Sequence, residues 1–138
     1  MQISIDYAEF EDLDYLSKND RHISKDMLEK KIKDKELIRI RVGNKIVGWL
    51  RYSYFWDNTP FMNMLYFEEK YRGKGLGAEI VSYWEKEMED KGFNMVMTST
   101  QANEQAQFFY RKQGYKDAGC LLLDNEPLEI LLIKNIKY

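Results

Sequence analysis

The residues best suited to chemistry lie in one run, Tyr71-Arg72-Gly73-Lys74-Gly75-Leu76-Gly77-Ala78. Three glycines at alternate positions remove Cβ atoms where a chain must curl tightly. The N–H groups of such a loop, with those of the first turn of a following helix, converge on one spot. A helix N-terminus carries partial positive charge, so that spot favours phosphate. Arg72 and Lys74 add full charges nearby. A diphosphate is the natural guest. A tight strand-to-helix turn that binds nothing would use the same glycines, so the loop needs support from the rest of the chain.

Two other phosphate loops fit less well. Gly73, Gly75 and Ala78 formally satisfy the dinucleotide pattern Gly-x-Gly-x-x-Gly/Ala. That pattern needs an acidic residue about 20 positions on, at the end of the next strand. Glu89 and Asp90 fall inside the predicted helix instead. The loop of nucleoside triphosphatases is absent, because no Gly-Lys pair is followed by Ser or Thr.

The elements around the loop follow from hydrophobic period and turn chemistry. Gln2 to Tyr7 alternates and reads as a strand. Glu9 to Ser17 reads as a helix with Phe10, Leu13 and Leu16 on one face. Ser24 caps a second helix, Lys25 to Asp34. Leu37 to Val42 and Lys45 to Tyr54 flank the pair Gly43-Asn44 and read as an antiparallel hairpin. Asp57-Asn58-Thr59-Pro60 is a turn, and Phe61 to Phe67 a strand. Gly75 to Lys91 is a long amphipathic helix ending at Gly92. Asn94 to Ser99 is a strand, Asn103 to Lys112 a helix, and Tyr115 to Leu123 and Leu128 to Ile133 the last strands. The class is mixed α/β (α+β), with a central βαβ unit whose two strands run parallel. Without repeats, low-complexity segments or linkers, residues 1–138 read as one domain.

A second set of residues stands beyond the loop. Asn103, Ala106, Tyr110, Gly114 and Tyr115 are spaced along the last predicted helix and its exit. With Arg72, Gly75 and Gly77, which fit Arg/Gln-x-x-Gly-x-Gly/Ala, they make the chain resemble the GNAT superfamily of acetyl-CoA-dependent N-acetyltransferases. The likeness in element order covers nearly the whole chain. It implies a mixed central sheet with splayed parallel strands, flanked by helices. It also implies roles. The backbone of Leu65, Tyr66 and Phe67 pairs with the pantetheine arm of acetyl-CoA, and an N–H near Phe67 polarises the thioester carbonyl. Arg72, Gly73, Lys74, Gly75, Leu76 and Gly77 hold the pyrophosphate. Asn103 bonds the pantetheine arm or nearby cofactor, and Tyr110 meets the sulfur. Lys112 is a weaker candidate for the ribose phosphate.

The physics of acyl transfer agrees with such a site. An amide-rich arm can add to unpaired strand ends, a fixed N–H donor stabilises the oxyanion of thioester attack, and holding both substrates lowers the entropic barrier. A phenol ionises near ~10 and a thiol near ~8.5, so Tyr110 is expected to stabilise the leaving thiolate mainly by a hydrogen bond.

An acceptor amine with a lysine-like pKa of ~10.4 must lose a proton before attack. Some family members carry a glutamate base on one of the two central strands. The matching positions here are Phe61 and Thr98, which are not bases. A water chain ending at His22, Asp57, Glu126 or Glu129 is the expected route. His22 is the single histidine and lies between the first two helices, where this fold would place the acceptor; a surface or capping role competes. Asp57 competes with turn formation. The acceptor is an amine-bearing small molecule or a protein or peptide. A non-catalytic acyl-CoA-binding or sensing module is the alternative.

Composition bounds the rest. Net charge is -2 with 32% charged residues, which gives no electrostatic reason for nucleic acid or an anionic membrane as partner. Cys120, the single cysteine, sits in an apolar run and is expected to be a buried structural thiol. No signal peptide, membrane span or metal-ligand cluster is read, and the expected place is the cytoplasm. Either a monomer or a homodimer paired through C-terminal strands is expected.

Overall fold

The computed structural model describes residues 1–137. Seven strands form one mixed sheet: β1 (Ile3–Tyr7), β2 (Leu37–Val42), β3 (Lys45–Phe55), β4 (Thr59–Phe67), β5 (Met95–Gln101), β6 (Lys116–Leu121) and β7 (Glu129–Asn135). Their order is β1-β2-β3-β4-β5-β7-β6. The helices are α1 (Leu13–Asn19), α2 (Lys25–Lys33), α3 (Leu76–Asp90) and α4 (Ala106–Lys112). The chain divides into two compact units, Met1–Tyr52 with Met64–Tyr83, and Ser53–Asn63 with Trp84–Tyr138.

In the first unit, β1 pairs antiparallel with β2 from Ile3↔Val42 to Tyr7↔Ile38. The β2–β3 hairpin turns at Gly43-Asn44, as its sequence demands, with positive φ at Gly43. Ser24 caps α2 by accepting the Met27 N–H at 3.2 Å. Leu13, Leu16, Leu28, Ile32, Leu37, Ile46 and Trp49 form the core, with Tyr15, Ile23 and Met64 packed against it. Asp20, at the end of α1, is fully buried as a side chain, yet accepts from Arg51 Nε at 2.7 Å and Trp49 Nε1 at 3.2 Å. A buried carboxylate so paired ties α1 to β3.

In the second unit, β4 and β5 run parallel through Phe61↔Met97 and Met62↔Thr98. β5 pairs antiparallel with β7 from Met95↔Asn135 to Gln101↔Glu129, and β6 closes the order against β7. Trp84, Met88, Val96, Leu132 and Ile136 are buried here. The α3 end is marked by the Gly92 N–H returning to Glu89 O at 2.9 Å.

Several expectations need correction. The first predicted helix is a 3-10 turn, Phe10–Asp12, running into α1, and Phe10 is 65% exposed instead of facing the core. The turn after β3 is Trp56-Asp57-Asn58, with positive φ at Trp56 and Asp57, so β4 already begins at Thr59 and includes Pro60. α4 begins at Ala106, leaving Asn103 in a turn. Of the last strands, β6 is shorter than predicted, Lys116–Leu121, and β7 runs later, Glu129–Asn135. Cys120 is exposed, not buried. It lies on β6, the terminal strand of the sheet, which is exposed along its whole length; an apolar run on an edge strand does not make a core.

Candidate functional site

The first unit carries the glycine loop. β4 ends at Leu65-Tyr66-Phe67, and Glu68 N–H donates to Val47 O at 2.9 Å, holding the strand's exit to β3. A 3-10 turn, Glu69–Tyr71, leads to Arg72 in extended backbone. Gly73 and Gly75 then take φ of 72° and 82°. These angles strain any L side chain. An added Cβ would meet nothing within 4 Å at either position. The glycines therefore serve backbone conformation and leave the space before α3 open.

The first closed bond of α3 is Glu79 N–H to Gly75 O, at 3.3 Å. The N–H groups of Leu76, Gly77 and Ala78 have no helical carbonyl to meet, and the dipole end of a 15-residue helix lies behind them. Lys74 is exposed beside them. Leu76 is buried, so its side chain anchors the helix and only its backbone can serve an anion. The loop thus has the chemistry of a diphosphate cradle.

Arg72 points elsewhere in part. Its Nε donates to Phe67 O at 2.8 Å, and its guanidinium lies 5.3 Å from the Tyr66 ring centroid. Tyr66 packs on Trp49 with centroids 4.8 Å apart, and Trp49 meets the edge of Tyr15 at 6.1 Å. Tyr15 donates to Glu68 Oε1 at 2.9 Å; burial, then that carboxylate, raise its phenol well above the ordinary range. Gly48 lies against the same strand end. A Cβ there would come within 2.5 Å of the Phe67 ring and 2.7 Å of Tyr66 O. The structure thus brings together Leu65, Tyr66, Phe67 and Arg72 and adds Gly48, Trp49 and Tyr15. Of these additions, a glycine interrupting an apolar strand was the legible signal for Gly48.

The second unit carries Asn103 and Tyr110. Asn103 is exposed in the turn before α4, and its side chain makes no hydrogen bond among the described residues. Tyr110 is buried on α4. Its phenol lies near Thr98, which works against the effect of burial on it, and Thr98 Oγ1 donates to Met62 O at 3.0 Å. Burial, with the Glu104 charge adding to it, pushes the Tyr110 phenol up to about 12. Tyr115 meets the Tyr110 ring edge-on at 5.8 Å and donates to Glu85 at 2.8 Å. The bond from Thr98 to Met62 is one the sequence did not reveal.

The relay candidates are scattered. His22 is exposed in the α1–α2 loop, with its backbone N–H bonded to Asp20 Oδ1 at 3.3 Å. Asp57 occupies the left-handed position of an exposed turn. Glu126 is exposed between β6 and β7. Glu129 accepts from Ser99 at 2.7 Å. Phe61 stacks on Phe55, and Lys112 is exposed at the end of α4. Among the described residues no group of three or more His, Cys, Asp or Glu could hold a metal ion, and no helix is long and apolar enough to cross a membrane.

Residues 3–115 match the model of the acetyltransferase (GNAT) family. No curated protein sequence matches the chain. Solved structures do. Ard1 from Thermoplasma volcanium superimposes with a TM-score of 0.86 at 11% identity, covering 100% of both chains. The ribosomal-protein-S18-alanine N-acetyltransferase of Escherichia coli gives 0.82 at 15% identity, covering 99% of this chain and 96% of that one. The PaiA N-acetyltransferase of Thermoplasma acidophilum, in complex with coenzyme A, gives 0.73 at 18% identity, covering 98% and 99%. At these identities the likeness is one of fold.

Proposed function

The chain belongs to the acetyltransferase (GNAT) family, and on that premise we propose that it moves an acetyl group from acetyl-CoA to a primary amine by direct attack in a ternary complex. One observation carries the reading most: two left-handed glycines, Gly73 and Gly75, with nothing within 4 Å of where their side chains would be, lead into a helix whose first N–H groups have no helical carbonyl to meet. That is an anion site, and Lys74 adds charge to it. Coenzyme A, bound by a structural neighbour, offers a diphosphate of the right kind.

The reaction forms a C–N bond between the neutral amine and the thioester carbonyl and breaks the C–S bond, releasing a thiolate. At the acyl end, a backbone N–H at the exit of β4, near Phe67, is assigned to the developing oxyanion. Tyr110 is assigned to the leaving sulfur. With its phenol pushed up to about 12 and a free thiol near ~8.5, full transfer to thiolate is uphill by about 5 kcal/mol. Tyr110 therefore lends a hydrogen bond to the sulfur and keeps its proton. The acceptor's surplus proton leaves through water, since Phe61 and Thr98 offer no base. His22, Asp57 and Glu126 are the ends to which such a chain could run. Asn103, with its amide uncommitted, is assigned to the donor's pantetheine arm. The acceptor is a small amine or a protein or peptide amine, and the setting is the cytoplasm.

The test is acceptor-dependent release of free thiol from acetyl-CoA across a panel of small amines and peptides. Tyr110→Phe should lower turnover more than donor affinity. Tight donor binding without thiol release on any acceptor would favour a sensing module instead.

A further inference from the structure

Within the acyl-transfer reading, we propose that Arg72 is a positioning residue that locks the acyl end of β4, and not chiefly a ligand of the donor's phosphates. The guanidinium is engaged on two sides. Nε donates to the Phe67 carbonyl at 2.8 Å, and the cation covers the Tyr66 ring at 5.3 Å. A charge-assisted bond to a carbonyl is among the stronger single contacts a side chain makes. It also holds the Phe67 carbonyl by one of its two lone pairs, so turning that peptide would break the bond.

What Arg72 grips is itself fixed from behind. Tyr66 packs on Trp49 at 4.8 Å, Trp49 Nε1 donates to Asp20 at 3.2 Å, and that carboxylate is held by Arg51 at 2.7 Å. On the other side, Gly48 lets the Phe67 ring and the Tyr66 carbonyl approach to a distance no side chain would permit. The strand end is thus clamped between Gly48 and Arg72. Glu68, the next residue, spends its N–H on Val47 O at 2.9 Å. A backbone donor meant for an oxyanion works only when its direction is set beforehand, and this clamp sets it.

The role separates from phosphate binding by which property of Arg72 matters. Arg72→Gln keeps an N–H donor and loses the charge, Arg72→Lys keeps the charge on a point donor, and Arg72→Met keeps neither. Each variant is assayed with acetyl-CoA and with S-acetylpantetheine, which has no diphosphate. The proposal expects Arg72→Met to lose about tenfold or more in kcat/KM on both donors alike, mostly in kcat, with Gln restoring more than Lys. A loss confined to acetyl-CoA and rescued by Lys would make Arg72 a phosphate ligand and overturn it. Hydrogen exchange at the Glu68 amide reads the clamp without any substrate. Faster exchange in Arg72→Met, restored by Gln, supports the clamp; unchanged exchange overturns it, even if the wild-type protein turns over neither donor and the acyl-transfer reading itself fails.

Discussion

Thr98 Oγ1 donates its proton to Met62 O, 3.0 Å away, tying β5 to its parallel neighbour β4. Both residues are buried. Thr98→Val removes the donor and leaves the Met62 carbonyl without that bond. The expected cost is about 1–3 kcal/mol of stability, read from urea unfolding. A variant as stable as the parent would show that the Met62 carbonyl finds another partner.

The raised phenol has consequences for pH. Burial disfavours phenolate, so Tyr110 keeps its proton until the pH approaches about 12. Turnover should rise with pH as the acceptor amine deprotonates and should still be climbing as the pH passes ~10.4, with no fall on the way. A falling limb with an apparent pKa near ~10, abolished in Tyr110→Phe, would contradict the assignment.

The same shift acts on stability. The folded state holds the Tyr110 proton after the unfolded state has released its own, so stability falls as pH rises through ~10 toward ~12. Tyr115 is raised as well, chiefly by burial and then by the Glu85 charge. Tyr110→Phe should flatten the alkaline decline in unfolding free energy. An unchanged slope would remove Tyr110 from that account.

Gly48→Ala places a methyl group 2.5 Å from the Phe67 ring and 2.7 Å from the Tyr66 carbonyl oxygen. The ring can turn; the backbone oxygen cannot. Overpacking of this kind costs about 1–3 kcal/mol. Turnover should fall further than stability alone explains, because the end of β4 moves. A folded variant with unchanged kcat would show that this strand end is not part of the acyl site.

Asp20→Ala leaves Arg51, a buried cation, and the Trp49 N–H without their shared acceptor. Breaking such a pair costs about 3–5 kcal/mol. Thermal unfolding should show a large fall, and the double variant Asp20→Ala with Arg51→Met should recover part of it. No recovery would mean the pair is not the source of the loss.

Local chemistry made much of this fold legible. Gly43-Asn44, the Ser24 cap and the Gly92 stop each act within a few residues, and each element they bound is present. The glycine loop was legible for the same reason, since glycine takes left-handed angles without the strain a side chain brings. What escaped depends on distant neighbours. Cys120 read as core because its run is apolar, but β6 is the last strand in the sheet order. Phe10 sat on the expected helical face, yet a 3-10 turn carries it outward. Thr98 and Met62 are 36 positions apart, and nothing in their spacing says they bond. Arg72 looked like a phosphate ligand by type, while its Nε belongs to Phe67, five residues before it.

The most direct measurement is calorimetric titration of the protein with acetyl-CoA, alongside dephospho-CoA and NAD. Saturable acetyl-CoA binding is predicted, with little affinity for NAD and a large loss in Gly75→Glu, where the 82° φ strains any side chain and the carboxylate would repel the donor's phosphates. No binding of acetyl-CoA, or a preference for NAD, would contradict the account at its centre.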